Sequence, residues 1–178
     1  LAARFGGTAL AVDRMEREML ALRQAQGERF EVLRDEAHRR FWRGVADYGL
    51  GDTAPPTLVT VASVLPTQVA VFIEAVAAEG GMGGLVGESV ARAGVGVVRT
   101  FWRAADPLAA PQGGVVARAV ASARRSATAL GGTLVVEACR APALRCAPEV
   151  KRLVDVWGPP GPDVDVMRRV KARFDPQG

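Results

Sequence analysis

The sequence predicts an α+β fold built on a split βαβ, or ferredoxin-like, unit with an antiparallel sheet, and three observations carry that expectation. From Thr57 to Ala138 the apolar pattern runs strand, helix, strand, strand, helix, strand. Both helices of this stretch end on paired glycines, Gly80-Gly81 and Gly131-Gly132, where the left-handed C-terminal turn is accessible. The chain of 178 residues is 49% hydrophobic and 24% charged, enough apolar material for a real core without staples.

The elements follow in order. Leu1 to Phe5 reads as a short strand before a Gly6-Gly7 turn, and Thr8 stands as an N-cap. Val12, Met15, Met19 and Leu22 fall at helical spacing up to Gly27, and Phe30 to Leu33 reads as a returning strand. Asp35 caps a second helix striped by Ala37, Phe41, Val45 and Tyr48, with His38 and Trp42 one turn apart beside it. This strand-helix-strand-helix extension occupies residues 1–48, and Gly49 to Pro56 is a linker.

The ferredoxin-like half spans residues 57–138. Thr57 to Val64 alternates, with Leu58, Thr60, Ala62 and Val64 on one face. Pro66 opens a helix whose core stripe is Val69, Ile73 and Val76, with Phe72 alongside. Two strands follow, Gly84 to Val90 and Gly94 to Trp102, turning at Ala91 to Ala93. After a loop from Asp106 to Gly114, the second helix carries Val116, Val120, Ala123, Ala127 and Leu130, and Thr133 to Ala138 is the last strand. The tail, residues 139–178, is punctuated by Pro142, Pro148, Pro159, Pro160 and Pro162. It holds a short helix over Val150 to Trp157 and a closing helix, capped by Asp163, with Val166, Val170 and Phe174 in line and Met167 beside them.

Composition excludes several functions. The net charge of +4 comes from arginines scattered among acids, with only Lys151 and Lys171 as lysines, which argues against nucleic-acid binding. No apolar run is long enough for a membrane span. Cys139 and Cys146 make no disulfide framework and read as reduced thiols of a cytoplasmic protein, and one histidine rules out a Cys/His metal site. His38 lacks an orienting acid other than its near neighbour Glu36, and no Gly-x-Ser-x-Gly elbow or Walker loop is present. Gly81-Met82-Gly83 and Gly94-Val95-Gly96 begin like a dinucleotide fingerprint but carry Val86 and Arg99 where the third glycine belongs. No catalytic or metal-binding residue is assigned.

Arg99 is the candidate binding residue, sharing a strand face with Val95, Val97 and Phe101. An arginine on an apolar face needs an anion, so Arg99 meets Glu88, Glu137, a substrate carboxylate or a cofactor edge. Arg92, in the adjoining turn, is the second candidate. Gly94 and Gly96 are costly inside a strand unless another group approaches the backbone closely, which makes them the cofactor candidates.

Several stretches together resemble the C-terminal domain of FAD-linked oxidases, of the glycolate oxidase second-subunit type. They are Ala62-Ser63-Val64-Leu65-Pro66-Thr67, the run Ala91 to Arg99, and Gly131-Gly132-Thr133-Leu134-Val135-Val136-Glu137. Asp155-Val156-Trp157-Gly158 and the run Val166 to Pro176 complete the resemblance. It implies a preceding N-terminal FAD domain, with this sheet covering the flavin ring and shaping the pocket for a hydroxy acid such as glycolate. It also implies other oxidase subunits as partners, an iron–sulfur subunit among them. Relatives often carry histidine where Arg92 stands, and a guanidinium cannot serve as a base. Leu1 is not a Met, and the family's L-N-P-G-R ending is absent, so the chain reads as a cut piece that is inactive alone. The competing expectation is a stand-alone ferredoxin-like ligand-binding or interaction module.

Overall fold

β-branched alternation between Thr57 and Val64 does form a strand, β1 (Leu58–Ser63), and it lies inside the sheet. The computed structural model describes residues 2–26, 31–49, 56–80, 84–106, 113–139, 152–161 and 164–176. Its contacts divide the chain into two units, Leu1–Ala46 and Asp47–Gly178.

In the second unit, Leu65 before Pro66 is extended (φ −61°, ψ 144°), as the proline ring demands, and Pro66–Gln68 winds one 3₁₀ turn. That turn runs into α3 (Val69–Gly80), and β2 (Leu85–Arg92), β3 (Val97–Ala104), α4 (Gly113–Ala129) and β4 (Thr133–Cys139) follow. The four strands make one antiparallel sheet in the order β2-β3-β1-β4. The expected order of strands and helices is therefore present.

Leu58, Thr60, Ala62 and Val64 all face the helices, as their alternation requires, and are buried there with Val98, Thr100 and Trp102 of β3. α3 supplies Val69, Phe72 and Val76, and α4 supplies Val116, Val120, Ala123 and Ala127. Phe72, fully buried, is the largest side chain that α3 contributes, worth about 1.5–3 kcal/mol by its burial. The indole N–H of Trp102 donates to Thr60 Oγ1 at 3.0 Å, so the largest core residue leaves no polar atom unsatisfied.

The C-terminus of α4 closes as a Schellman turn. Gly132 N–H donates to the Ala127 carbonyl (2.8 Å) and Gly131 N–H to the Thr128 carbonyl (2.9 Å), with Gly131 left-handed at φ 72°. A Cβ on Gly132 would meet the Ser63 carbonyl at 2.3 Å.

The turn between β2 and β3 corrects the expected placement. Residues 94 and 96 lie outside the strands: Ala93–Val95 forms a 3₁₀ turn, and Gly96 follows it at φ 71°. The tight reversal needs a left-handed residue, which glycine supplies without steric cost, and β3 starts only at Val97.

Past β4, the segment around Val154 lies along the sheet. The Val136 N–H donates to the Val156 carbonyl (2.8 Å), and Arg124 reaches from α4 to the carbonyls of Leu134 and Asp155. The short helix expected over Val150 to Trp157 stops early: Val150 and Lys151 lie outside the described residues, and residues 154–157 are not helical. Arg152 and Leu153 are helical, but the Asp155 carboxylate accepts the Trp157 N–H at 3.0 Å, a local bond that competes with the helix. The closing helix α5 (Val164–Phe174) is present and buries none of its residues. Asp163, Cys146, the run Gly81 to Gly83 and most of the expected linker lie outside the described residues.

In the first unit Thr8 accepts from the Ala11 N–H at the start of α1 (Ala9–Gln26), and α2 (Asp35–Ala46) carries Asp35 and Glu36 in its first turn. Arg34 clasps Glu16 with two bonds of 2.6 and 2.9 Å. The strands expected at Leu1–Phe5 and Phe30–Leu33 are not formed: residues 2–6 and 31–34 enter no ladder, while Leu1 and Phe30 lie outside the described residues. Two such short segments make a ribbon too small to hold itself.

Candidate functional site

The sheet has one face under α3 and α4 and an opposite face carrying the odd residues of β1 and β3 and the even residues of β2. Val59, Val61, Val97 and Phe101 form its apolar floor, and Arg99 and Arg103 rise from the same strand as Phe101. Phe101 is only 5% exposed because Tyr48 packs edge-on against it, ring centres 5.1 Å apart, and the buried Gly49 lies on its ring.

Of the possible partners of Arg99, Glu137 is the one it meets. Nε donates to Oε2 at 2.7 Å and Nη2 to Oε1 at 2.9 Å, a two-bond clasp across β1. β4 is irregular at this point. Val136 faces Thr60 and Ala138 faces Val59, so Glu137 is the extra residue of a β-bulge. Glu137 follows the outward alternation of Val135, so its carboxylate stands on the open face. Both side chains are about half exposed, at 48% and 43%, so the pair contributes only about 0–1 kcal/mol of stability. Such an arginine remains reachable by a competing anion.

Glu88 forms a second polar cluster on the far side of Phe101. Its Oε2 accepts from the Tyr48 hydroxyl and from Arg103 Nη1, each at 2.7 Å. The sequence suggests Glu88 only as a partner for Arg99 and does not single out Tyr48 or Arg103 for this face. The signal for Arg103 is its spacing, two residues beyond Phe101 on the same strand face.

Arg92 ends β2, exposed, opposite Val97 and therefore diagonal to Arg99 on the same face. It has no ion-pair partner among the described residues. The glycines behave differently from one another. A Cβ on Gly96 would meet the Val64 carbonyl at 1.8 Å, so the close approach there is made by the chain's own backbone, whereas Gly94 borders open space.

His38 touches Trp42 edge-on, ring centres 6.5 Å apart, and Glu36 is engaged by Arg39 at 2.9 Å. No orienting acid is left for the histidine there. A shallow depression of about 570 Å³ lies on the outer surface of α4, along Arg124 and Arg125. Among the described residues no group of His, Cys, Asp and Glu is placed to hold a metal ion, and no helix is long and apolar enough to cross a membrane. No protein-family model matches the chain, and no curated protein is significantly similar to it.

Proposed function

We propose that this chain is the ferredoxin-like cap of an FAD-dependent oxidoreductase acting on a small 2-hydroxy acid such as glycolate, with the open sheet face forming one wall of the substrate pocket. The observation that carries the reading is the composition of that face. The part of its apolar floor left accessible, Val61 and Val97, is flanked by an arginine held only by a solvated carboxylate, while Val59 and Phe101 are buried beside it. Pockets for small organic ligands combine mostly apolar walls with few polar anchors.

In this reading Arg99 binds the substrate carboxylate through the bidentate geometry it now offers Glu137, and Glu137 holds the guanidinium in place between turnovers. The apolar floor excludes water from the reacting carbon. Bound FAD supplies the hydride acceptor, and its pyrophosphate is held elsewhere in the protein. Gly96 does not fit a cradle for the ring, because its free side is filled by Val64, so contact with the flavin falls to the open face and to Gly94.

Expression of the complete reading frame encoding this chain tests the proposal. The expected product is a yellow protein that oxidises a 2-hydroxy acid, and a folded product free of flavin overturns it. In that enzyme Arg99→Ala raises KM with little change in kcat, by the about 1.5–3 kcal/mol of a charge-assisted hydrogen bond. A KM that does not move returns Arg99 to a purely structural pair. The second reading, a ferredoxin-like interaction module without catalysis, is favoured by one observation: Glu137 already satisfies Arg99.

A further inference from the structure

The two borders of the sheet are finished differently. At β4 the outward-facing Val136 N–H is taken by Val156, so the chain covers part of its own edge. At β2 nothing comparable occurs among the described residues. Ala105 N–H bonds the Gly84 carbonyl (3.0 Å), which fixes the alternation: even-numbered residues of β2 bond to β3, and Leu85, Gly87, Ser89 and Ala91 turn their N–H and C=O groups outward. No described residue pairs with them. The strand runs for eight residues without a proline, a lysine or a bulge, the usual devices that protect an edge.

We infer that β2 pairs antiparallel with β2 of a second copy of this chain, joining two sheets into one. Charge selects the register. A pairing centred on Glu88 would set two carboxylates face to face, which is destabilising, whereas one centred on Val90 puts Glu88 opposite Arg92 of the second copy, and the reverse. Both residues stand on the same face of the strand, Arg92 is without an ion-pair partner among the described residues, and Glu88 uses only one of its two oxygens on Tyr48 and Arg103. In this register Ser89 and Ala91 exchange backbone hydrogen bonds across the two-fold axis. Assembly stops at two copies because the two-fold pairing uses up both β2 edges, and β4 is partly covered by its own chain. The contact engages Arg92 and leaves Arg99 on the open face, so it stands whether or not the flavin reading does.

Sedimentation velocity over a dilution series, with hydrogen exchange on the same samples, tests the pairing. The expected result is a monomer–dimer equilibrium in which the Ser89 and Ala91 amides slow as the dimer forms. Arg92→Glu, which sets like charges against each other at both ends of the pairing, raises the dimer Kd by about tenfold or more. A monomer throughout the series overturns the inference. So does a dimer in which those amides exchange as in the monomer, or one indifferent to Arg92→Glu. The exchange measurement uses the unmodified chain, so it decides the matter even where the variant fails to fold.

Discussion

The two faces of the sheet are built from the same strands yet obey different rules. On the helix side every large group is apolar or hydrogen-bonded, and Trp102, Phe72, Val98, Val116 and Val120 are essentially sealed from water. On the other side the charged pairs Arg99–Glu137 and Arg103–Glu88 stay partly solvated around the Phe101 floor. Burial of apolar area drives folding, whereas exposed ion pairs add little, so the helix side, with Val59 and the Tyr48-covered Phe101 on the other, accounts for most of the stability and the charged pairs for little.

That contrast can be broken by substitution, beginning where the effect is largest. Phe72→Ala empties a fully buried site between α3 and the sheet and should cost about 3–5 kcal/mol in urea denaturation. A loss below about 1 kcal/mol would mean that the helix side is loosely packed. Gly96→Ala forces a side chain into left-handed backbone and against the Val64 carbonyl, for a loss of more than about 2 kcal/mol, while Gly94→Ala two residues earlier should fall within about 0.5 kcal/mol. Equal effects at the two sites, read from thermal midpoints, would refute the assigned turn. Thr60→Val leaves the Trp102 indole N–H buried without an acceptor and should cost about 1–3 kcal/mol, with a change in tryptophan fluorescence to report the local disturbance. At the small end, Glu137→Gln on the open face should change stability by no more than about 1 kcal/mol, and less as salt is added. A large, salt-independent loss would make the clasp part of the fold rather than a usable surface.

The helix-covered face was legible in the sequence because its signals are local. Alternation placed Leu58, Thr60, Ala62 and Val64 together, and helical spacing placed Val116, Val120, Ala123 and Ala127 together. The candidate site was less legible because its partners are chosen by register. Glu137 meets Arg99 across β1, and which strands flank β1, and in what register, leaves no mark on the alternation within any one strand. Gly94 and Gly96 looked like strand glycines because valines surround them, yet the reversal runs over Ala93 to Gly96, later than the expected Ala91 to Ala93. The strands expected near the N-terminus had apolar residues of the right type but no neighbour among the described residues to complete their ladders.

The exit of β1 has a consequence beyond its own strand. Gly96, from the turn between β2 and β3, and Gly132, from the turn after α4, press on the adjoining carbonyls of Val64 and Ser63. Two reversals far apart in the chain thus share one socket of two peptide units. A side chain added at either position would displace the same support, so damage at one should blunt the further harm done by the other. That corner is a common hinge pin for both halves of the sheet, and inserted residues should be tolerated there less than at any loop that leans on nothing.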